Sequence, residues 1–158
     1  MAIDDRRMAA WRSFILANAR LTEVLERELM DEHDLPLTWY DVLVQLHEAG
    51  GSLRMHDLAN AVLLSKSGVT RLVDRMVSAG LVGRESCPSD RRGTLAVLTA
   101  AGKDRLRRAA PTHLRGVEQH FASLLRDGEV DVVRDVFARV VGHVAHRPDP
   151  AAETPRGS

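Results

Sequence analysis

Between Ser65 and Arg92 the chain sets hydroxyls and cations at spacings suited to reading a polyanion. Ser65, Lys66, Ser67, Thr70, Arg71 and Arg75 recur along one side of a helical repeat, and Arg84, Asp90, Arg91 and Arg92 follow within a hairpin pattern. An arginine fork can bond a guanine edge or a phosphate, and hydroxyls reach either. Asp74 suits orienting an arginine better than touching DNA, because phosphates repel a carboxylate. The plainer alternative is a solvated helix face.

The elements that must hold these groups can be read from periodicity. From Lys66 to Ala79 the apolar residues are Val69, Leu72, Val73, Met76 and Val77, the stripe of a helix with one buried face. Ser65 is a good N-cap, and Gly80 sits where a helix commonly ends. Upstream, Met55 to Val62 predicts a shorter helix with Leu58, Ala59 and Val62 inward, and Val62-Leu63-Leu64 turns into Ser65. Downstream, Leu81 to Arg84 predicts a short strand, Ser86 to Gly93 a polar loop with a basic tip, and Thr94 to Leu98 a return strand. Helix, turn, helix and basic two-stranded ribbon together predict a winged helix-turn-helix.

These residues carry a resemblance to a known family. Leu58-Ala59, Ser65 to Met76, Gly80-Leu81-Val82, Asp90-Arg91-Arg92-Gly93 and Leu98-Thr99 with Gly102 form an ordered set that resembles the signature of MarR-type transcriptional regulators. The Asp-Arg-Arg wing followed by Leu-Thr-x-x-Gly is its most specific part, and the likeness spans about Met8 to His146. It implies a homodimer that binds double-stranded DNA and is often released by a small ligand or by oxidation. It also implies that Asp90 pairs with an arginine to shape the wing, while Arg91 and Arg92 lie against the DNA backbone.

The rest of the chain supports a mainly α protein with a small β-wing and long dimerisation helices at both ends. Residues 1–34 read as an N-terminal dimerisation helix, broken at Leu35-Pro36-Leu37 because proline lacks a donor. Residues 35–99 form the winged helix-turn-helix, opening with a helix over Trp39 to Glu48 that Thr38 is placed to cap. Residues 100–146 carry C-terminal dimerisation helices: one capped by Thr99, running to about Leu125 and kinked or divided at Pro111, and a second over Glu129 to Ala145. Residues 147–158 read as a disordered tail. The apolar faces exceed what one small chain can cover, which suggests a two-fold dimer. Such a dimer would set two reading helices about one DNA turn apart.

Net charge is zero over 158 residues, so composition alone does not announce a nucleic-acid partner. Its distribution is more telling: residues 54–92 balance to +3 and residues 1–34 to −3. No apolar run suits a membrane span, the charged N-terminus lacks a signal-peptide core, and the single cysteine suits a reducing cytosol, so a cytoplasmic location is expected. There is no nucleophile elbow, phosphate loop or dinucleotide fingerprint on which an enzyme reading could stand, and no cofactor is implied.

Three further groups are candidates for sensing. Trp11, Asp41 and Arg84 are similar in placement to effector residues of the urate-responsive branch of the family, pointing to a small aromatic, phenolic or other anionic effector. Where that branch has a recognition-helix arginine this chain has Leu72, with Arg71 one position away. The alternative makes Trp11 a core residue and Asp41 a surface charge. Cys87 at the wing loop near Arg91 and Arg92 is a candidate redox thiol, although the peroxide-sensing relatives carry theirs in the N-terminal helix. The seven histidines, including His113, His120, His143 and His146, read as surface residues without partners for a metal. A rival from another class is a winged-helix protein–protein module that no longer reads DNA.

Overall fold

The computed structural model describes residues 4–62, 66–87 and 90–145, with the side chains of residues 66, 90–92 and 145 outside that description. Ser65 with its expected cap, the turn residues Leu63 and Leu64, the side chains of Lys66, Asp90, Arg91 and Arg92, His146 and the tail 147–158 therefore lie outside the described residues.

The first helix, α1 (Asp5–His33), starts where the Asp4 carboxylate accepts the Arg7 N–H at 2.9 Å and ends at Asp34 in a left-handed conformation, φ 49°. Its partner α2 (Leu37–Glu48) begins earlier than expected. Pro36, not Thr38, occupies the cap position, and no side chain of its own turn caps it. The Leu37 N–H instead donates to Glu26 Oε2 on α1 at 2.6 Å. A carboxylate from a neighbouring helix thus does the work of a local cap.

Three strands form one antiparallel sheet in the order β1-β3-β2. The first, β1 (Ser52–Arg54), is entered through Gly50 and Gly51, whose φ values of 82° and 109° only glycine adopts without strain. It pairs Leu53 with Ala96 and makes a third strand where a two-stranded ribbon was expected. Next come α3 (Met55–Ala61) and α4 (Lys66–Ser78), then β2 (Val82–Cys87) and β3 (Asp90–Leu98). The hairpin is longer than the polar run suggested. Ser86 pairs with Thr94, and Cys87 with Asp90 across an irregularity at Ser86/Cys87. Arg84, Glu85 and Ser86 are exposed in succession, so polar residues suit this part of β2.

Leu35, Val42, Leu43 and Leu46 meet Leu58, Val69, Val73 and Met76 in the core, which Leu29 of α1 and Leu106 and Ala109 of the next helix complete. That helix, α5 (Ala100–His120), is not divided at Pro111, which leaves only the kink of the two expected effects, and it stops short of Leu125. Its buried Ala109, Thr112 and Gly116 lie against the other helices, and Gly116 lets α1 approach so closely that a Cβ there would collide with the Glu28 carboxylate. Packing of this kind outweighs one lost helical hydrogen bond. A 3-10 turn (Ala122–Leu124) leads to α6 (Asp127–Ala145). No helix among the described residues is long and apolar enough to cross a membrane.

Candidate nucleic-acid interface

The two faces of α4 separate as its periodicity demands. Val69, Leu72, Val73 and Met76 are buried, while Ser67, Thr70, Arg71, Asp74, Arg75 and Ser78 are exposed. Val77, expected in the buried stripe, is 37% exposed and lies at the margin of the face. Neither Arg71 nor Arg75 forms an ion pair among the described residues, so both guanidinium groups are available for a polyanion. Asp74 is 2.8 Å from Arg84 on β2, and Arg84 Nη2 also donates to the Thr70 carbonyl at 3.5 Å. The expectation that Asp74 orients an arginine holds, and the arginine belongs to the wing.

Thr99 ties the ends of α4 and the wing to α5. Its hydroxyl donates to the Gly80 carbonyl at 2.7 Å and accepts the Gly102 N–H at 3.0 Å, and its own N–H donates to the Leu81 carbonyl at 3.3 Å. Gly80 sits at φ 75°, as its place after the helix requires. The Leu-Thr-x-x-Gly pattern thus encodes a junction between α4, the wing and α5.

Trp11, Asp41 and Arg84 fall on three different features of the chain. Trp11 is 56% exposed on α1, against Phe14 rather than in the core. Asp41 lines a cavity of about 540 Å³ between α2 and α5, together with Leu37, Tyr40, Val44, Glu48 and His113. A second cavity, about 370 Å³, shares Tyr40 and Val44 with the first and is lined further by His47, Lys103, Leu106 and Arg107. His113, Tyr40, Lys103 and Arg107 were not singled out as ligand residues from the sequence.

Burial governs the ionisable groups here. It pushes the Asp41 carboxyl above its ordinary 3.8, opposed by a hydrogen bond from Gln45 and by His113 and reinforced by Glu48. It pushes the His113 imidazole below its ordinary 6.5, with Asp41 opposing, and raises the Tyr40 hydroxyl, with Asp41 adding to the effect. The His113 ring packs on Tyr40 with centroids 4.5 Å apart, and its Nδ1 is buried without a partner. Nor are His120 on α5 and His33 on α1 the surface groups expected, since both are half-buried. His120 Nε2 lies 2.7 Å from Glu28, and His33 Nε2 lies 2.7 Å from the buried Thr112 hydroxyl. No cluster of three or more metal-binding side chains occurs among the described residues.

A pH prediction follows from His113. An imidazole depressed by folding contributes stability above its ordinary value, and that contribution is lost as pH falls through the folded value. The melting temperature should therefore drop on going from about pH 7.5 to about pH 5.5, and drop less in His113→Gln. Asp41 acts in the opposite sense: its contribution is present below the ordinary carboxylate value and is lost as pH rises through the raised one. Parallel pH profiles for wild type and His113→Gln would show that the imidazole does not titrate on unfolding.

Cys87 is only 6% exposed at the end of β2. A redox sensor thiol needs access to oxidant, so this burial weighs against that role.

The MarR family model matches residues 33–93. A crystal structure of AbsC, a MarR family transcriptional regulator from Streptomyces coelicolor, superposes with a TM-score of 0.87 at 36% identity, covering 93% of this chain and 99% of that one. A second MarR family regulator from the same organism, solved in complex with DNA, superposes with a TM-score of 0.86 at 32% identity, covering 94% and 92%. The regulator MhqR of Bacillus subtilis is 28% identical over 109 residues, 69% of this chain and 74% of that protein.

Proposed function

The chain belongs to the MarR family of transcriptional regulators, and from that premise we propose that it acts as a homodimeric repressor on a pseudo-palindromic operator. The observation that carries this reading is the exposed face of α4, where Ser67, Thr70, Arg71 and Arg75 stand clear of the core beside the Arg84 strand. In the proposed complex α4 enters the major groove and reads base edges, with Ser65 and Lys66 at its N-terminal end. Arg91 and Arg92 of the wing meet phosphates, and one of them reaches the minor groove. Blocking a promoter needs no further chemistry. The relative solved with DNA supports the DNA partner.

Dimerisation is proposed from the apolar surface of the helical ends. On α6, Val130, Phe137, Val140 and Val144 are exposed at spacings of seven, three and four, a seam that a second copy would cover. Trp11, Phe14, Ile15 and Leu16 extend it onto α1, and Phe14 packs on Phe137 with centroids 5.4 Å apart.

The effector proposed is a small aromatic or phenolic molecule seated between α2 and α5. The apolar floor of Tyr40, Val44 and Leu106 suits a ring, and Lys103 and Arg107 suit an acidic substituent. Asp41 lines the neighbouring cavity, where its carboxyl group can accept a hydrogen bond from a phenol hydroxyl. Release of DNA would follow because α2 and α5 flank the reading head.

The test is fluorescence anisotropy on DNA from upstream of the protein's own coding region against random duplex, at two salt concentrations. Saturable binding with preference for the upstream DNA and a steep salt dependence is expected. No preference at either salt would favour a protein-partner module instead. Within this assay, Arg71→Ala or Thr70→Ala should alter preference between bases by about 5- to 150-fold, the equivalent of 1–3 kcal/mol per good base contact. Arg91→Ala or Arg92→Ala should weaken both duplexes alike and flatten the salt slope by about one unit. Equal losses on both duplexes for all four variants would refute that division.

A further inference from the structure

A carboxylate in the middle of a DNA-facing helix surface calls for a reason. Asp74 is exposed on the same face as Thr70, Arg71 and Arg75, where it would repel phosphates and weaken binding to any duplex. Stability does not supply the reason. An exposed ion pair such as Asp74–Arg84, with side chains 60% and 33% exposed, contributes little. What the pair does is geometric. Arg84 reaches from β2 across to α4 and holds two points on it, the Asp74 carboxylate at 2.8 Å and the Thr70 carbonyl at 3.5 Å, one helical turn apart. It lies beyond the Gly80 turn, where the backbone changes direction, so it fixes the wing to the face of α4 rather than to its end.

We infer that Asp74 and Arg84 form a positioning clamp that sets the angle between wing and reading helix, and so sets sequence preference rather than total affinity. The inference rests on the DNA-reading function proposed above. With the clamp closed, the arginines of α4 and those of the wing meet the duplex as one rigid body, and only one register satisfies both. With it open, each makes phosphate contacts independently and the register is lost.

The two roles open to Asp74 differ in sign. As a mere repulsive charge, its removal tightens binding to every duplex by the same factor. As half of a clamp, its removal tightens random DNA and weakens the preferred site. The experiment uses a duplex enriched from a random pool by the wild-type protein, with an unselected duplex as reference. Asp74→Asn should bind random DNA a few-fold more tightly and the selected duplex about 10-fold more weakly, a loss of the size of one good contact. Arg84→Gln should lose the same preference. Reciprocal exchange, Asp74→Arg with Arg84→Asp, should recover preference relative to either single change, as an interacting pair requires. Circular dichroism melts within a few degrees of wild type would set aside a folding defect. An equal tightening on both duplexes by Asp74→Asn overturns the clamp while leaving DNA reading intact. Failure of the wild-type protein to enrich any sequence overturns DNA reading and the clamp with it.

Discussion

Gly102→Ala should destabilise the protein by about 3 kcal/mol or more, because the added methyl has nowhere to go. It would run into the Leu81 carbonyl oxygen, and it would lie 3.1 Å from the Leu81 carbonyl carbon and 2.9 Å from Leu98 Cδ1. Leu98 can shift its side chain. The Leu81 carbonyl cannot, since it accepts the Thr99 N–H and follows directly on Gly80, whose own carbonyl accepts the Thr99 hydroxyl. Opening the gap therefore breaks the bonds that join α4, the wing and α5. For a chain of this size the loss corresponds to roughly 6–12 °C in melting temperature. Gly128→Ala is the control, since a Cβ at that position meets nothing within 4 Å. It should hold or raise stability by up to about 1 kcal/mol through helix propensity alone. A Gly102→Ala melt within about 2 °C of wild type would mean that the junction is soft and that this glycine is not needed for close approach.

That junction shows what could be read in advance and what could not. The Leu-Thr-x-x-Gly pattern was legible as a motif, and Thr99 as a cap, because capping depends on residues three apart in sequence. That Gly102 must be glycine depends on Leu81, twenty-one positions back, and no local rule reveals it. The same division runs through the chain. The buried stripe of α4 follows from period alone, whereas Val77 is exposed because nothing is packed over that edge. The cap of α2 went to Pro36 because its acceptor, Glu26, arrives from α1. A three-residue strand such as β1 is too short to show alternation, and it forms because β3 lies beside it. His33, His113 and His120 looked like surface groups because a polar residue on a long helix gives no sign of the second helix it faces. The polar face of α4 was thus legible as a helix surface, and the cavity between α2 and α5 was not, because it belongs to no single element.

Val140→Asp should turn the protein into a monomer. Val140 is 52% exposed on α6, so in an isolated chain the carboxylate would stay hydrated and the fold would be little affected. In a dimer formed across the Val130, Phe137, Val140 and Val144 seam, the same carboxylate would be stripped of water against apolar side chains. A two-fold interface presents the substitution twice, and an unpaired buried charge costs several kcal/mol. The dimer dissociation constant should rise by about a thousand-fold or more, the equivalent of about 4 kcal/mol. Sedimentation velocity would read the change directly. Arg139→Asp, one residue earlier on a different side of the helix, should leave the dimer intact. Loss of the dimer then carries a functional signature. A monomer presents one α4 to DNA, so binding should fall to that expected for a single half-site, and the advantage of two half-sites spaced about one helical turn apart should vanish. If Val140→Asp sediments as a dimer, α6 is not the seam. The apolar residues of α1, from Trp11 to Leu16, would then have to carry the association without it, and Trp11→Asp would become the variant that separates the copies.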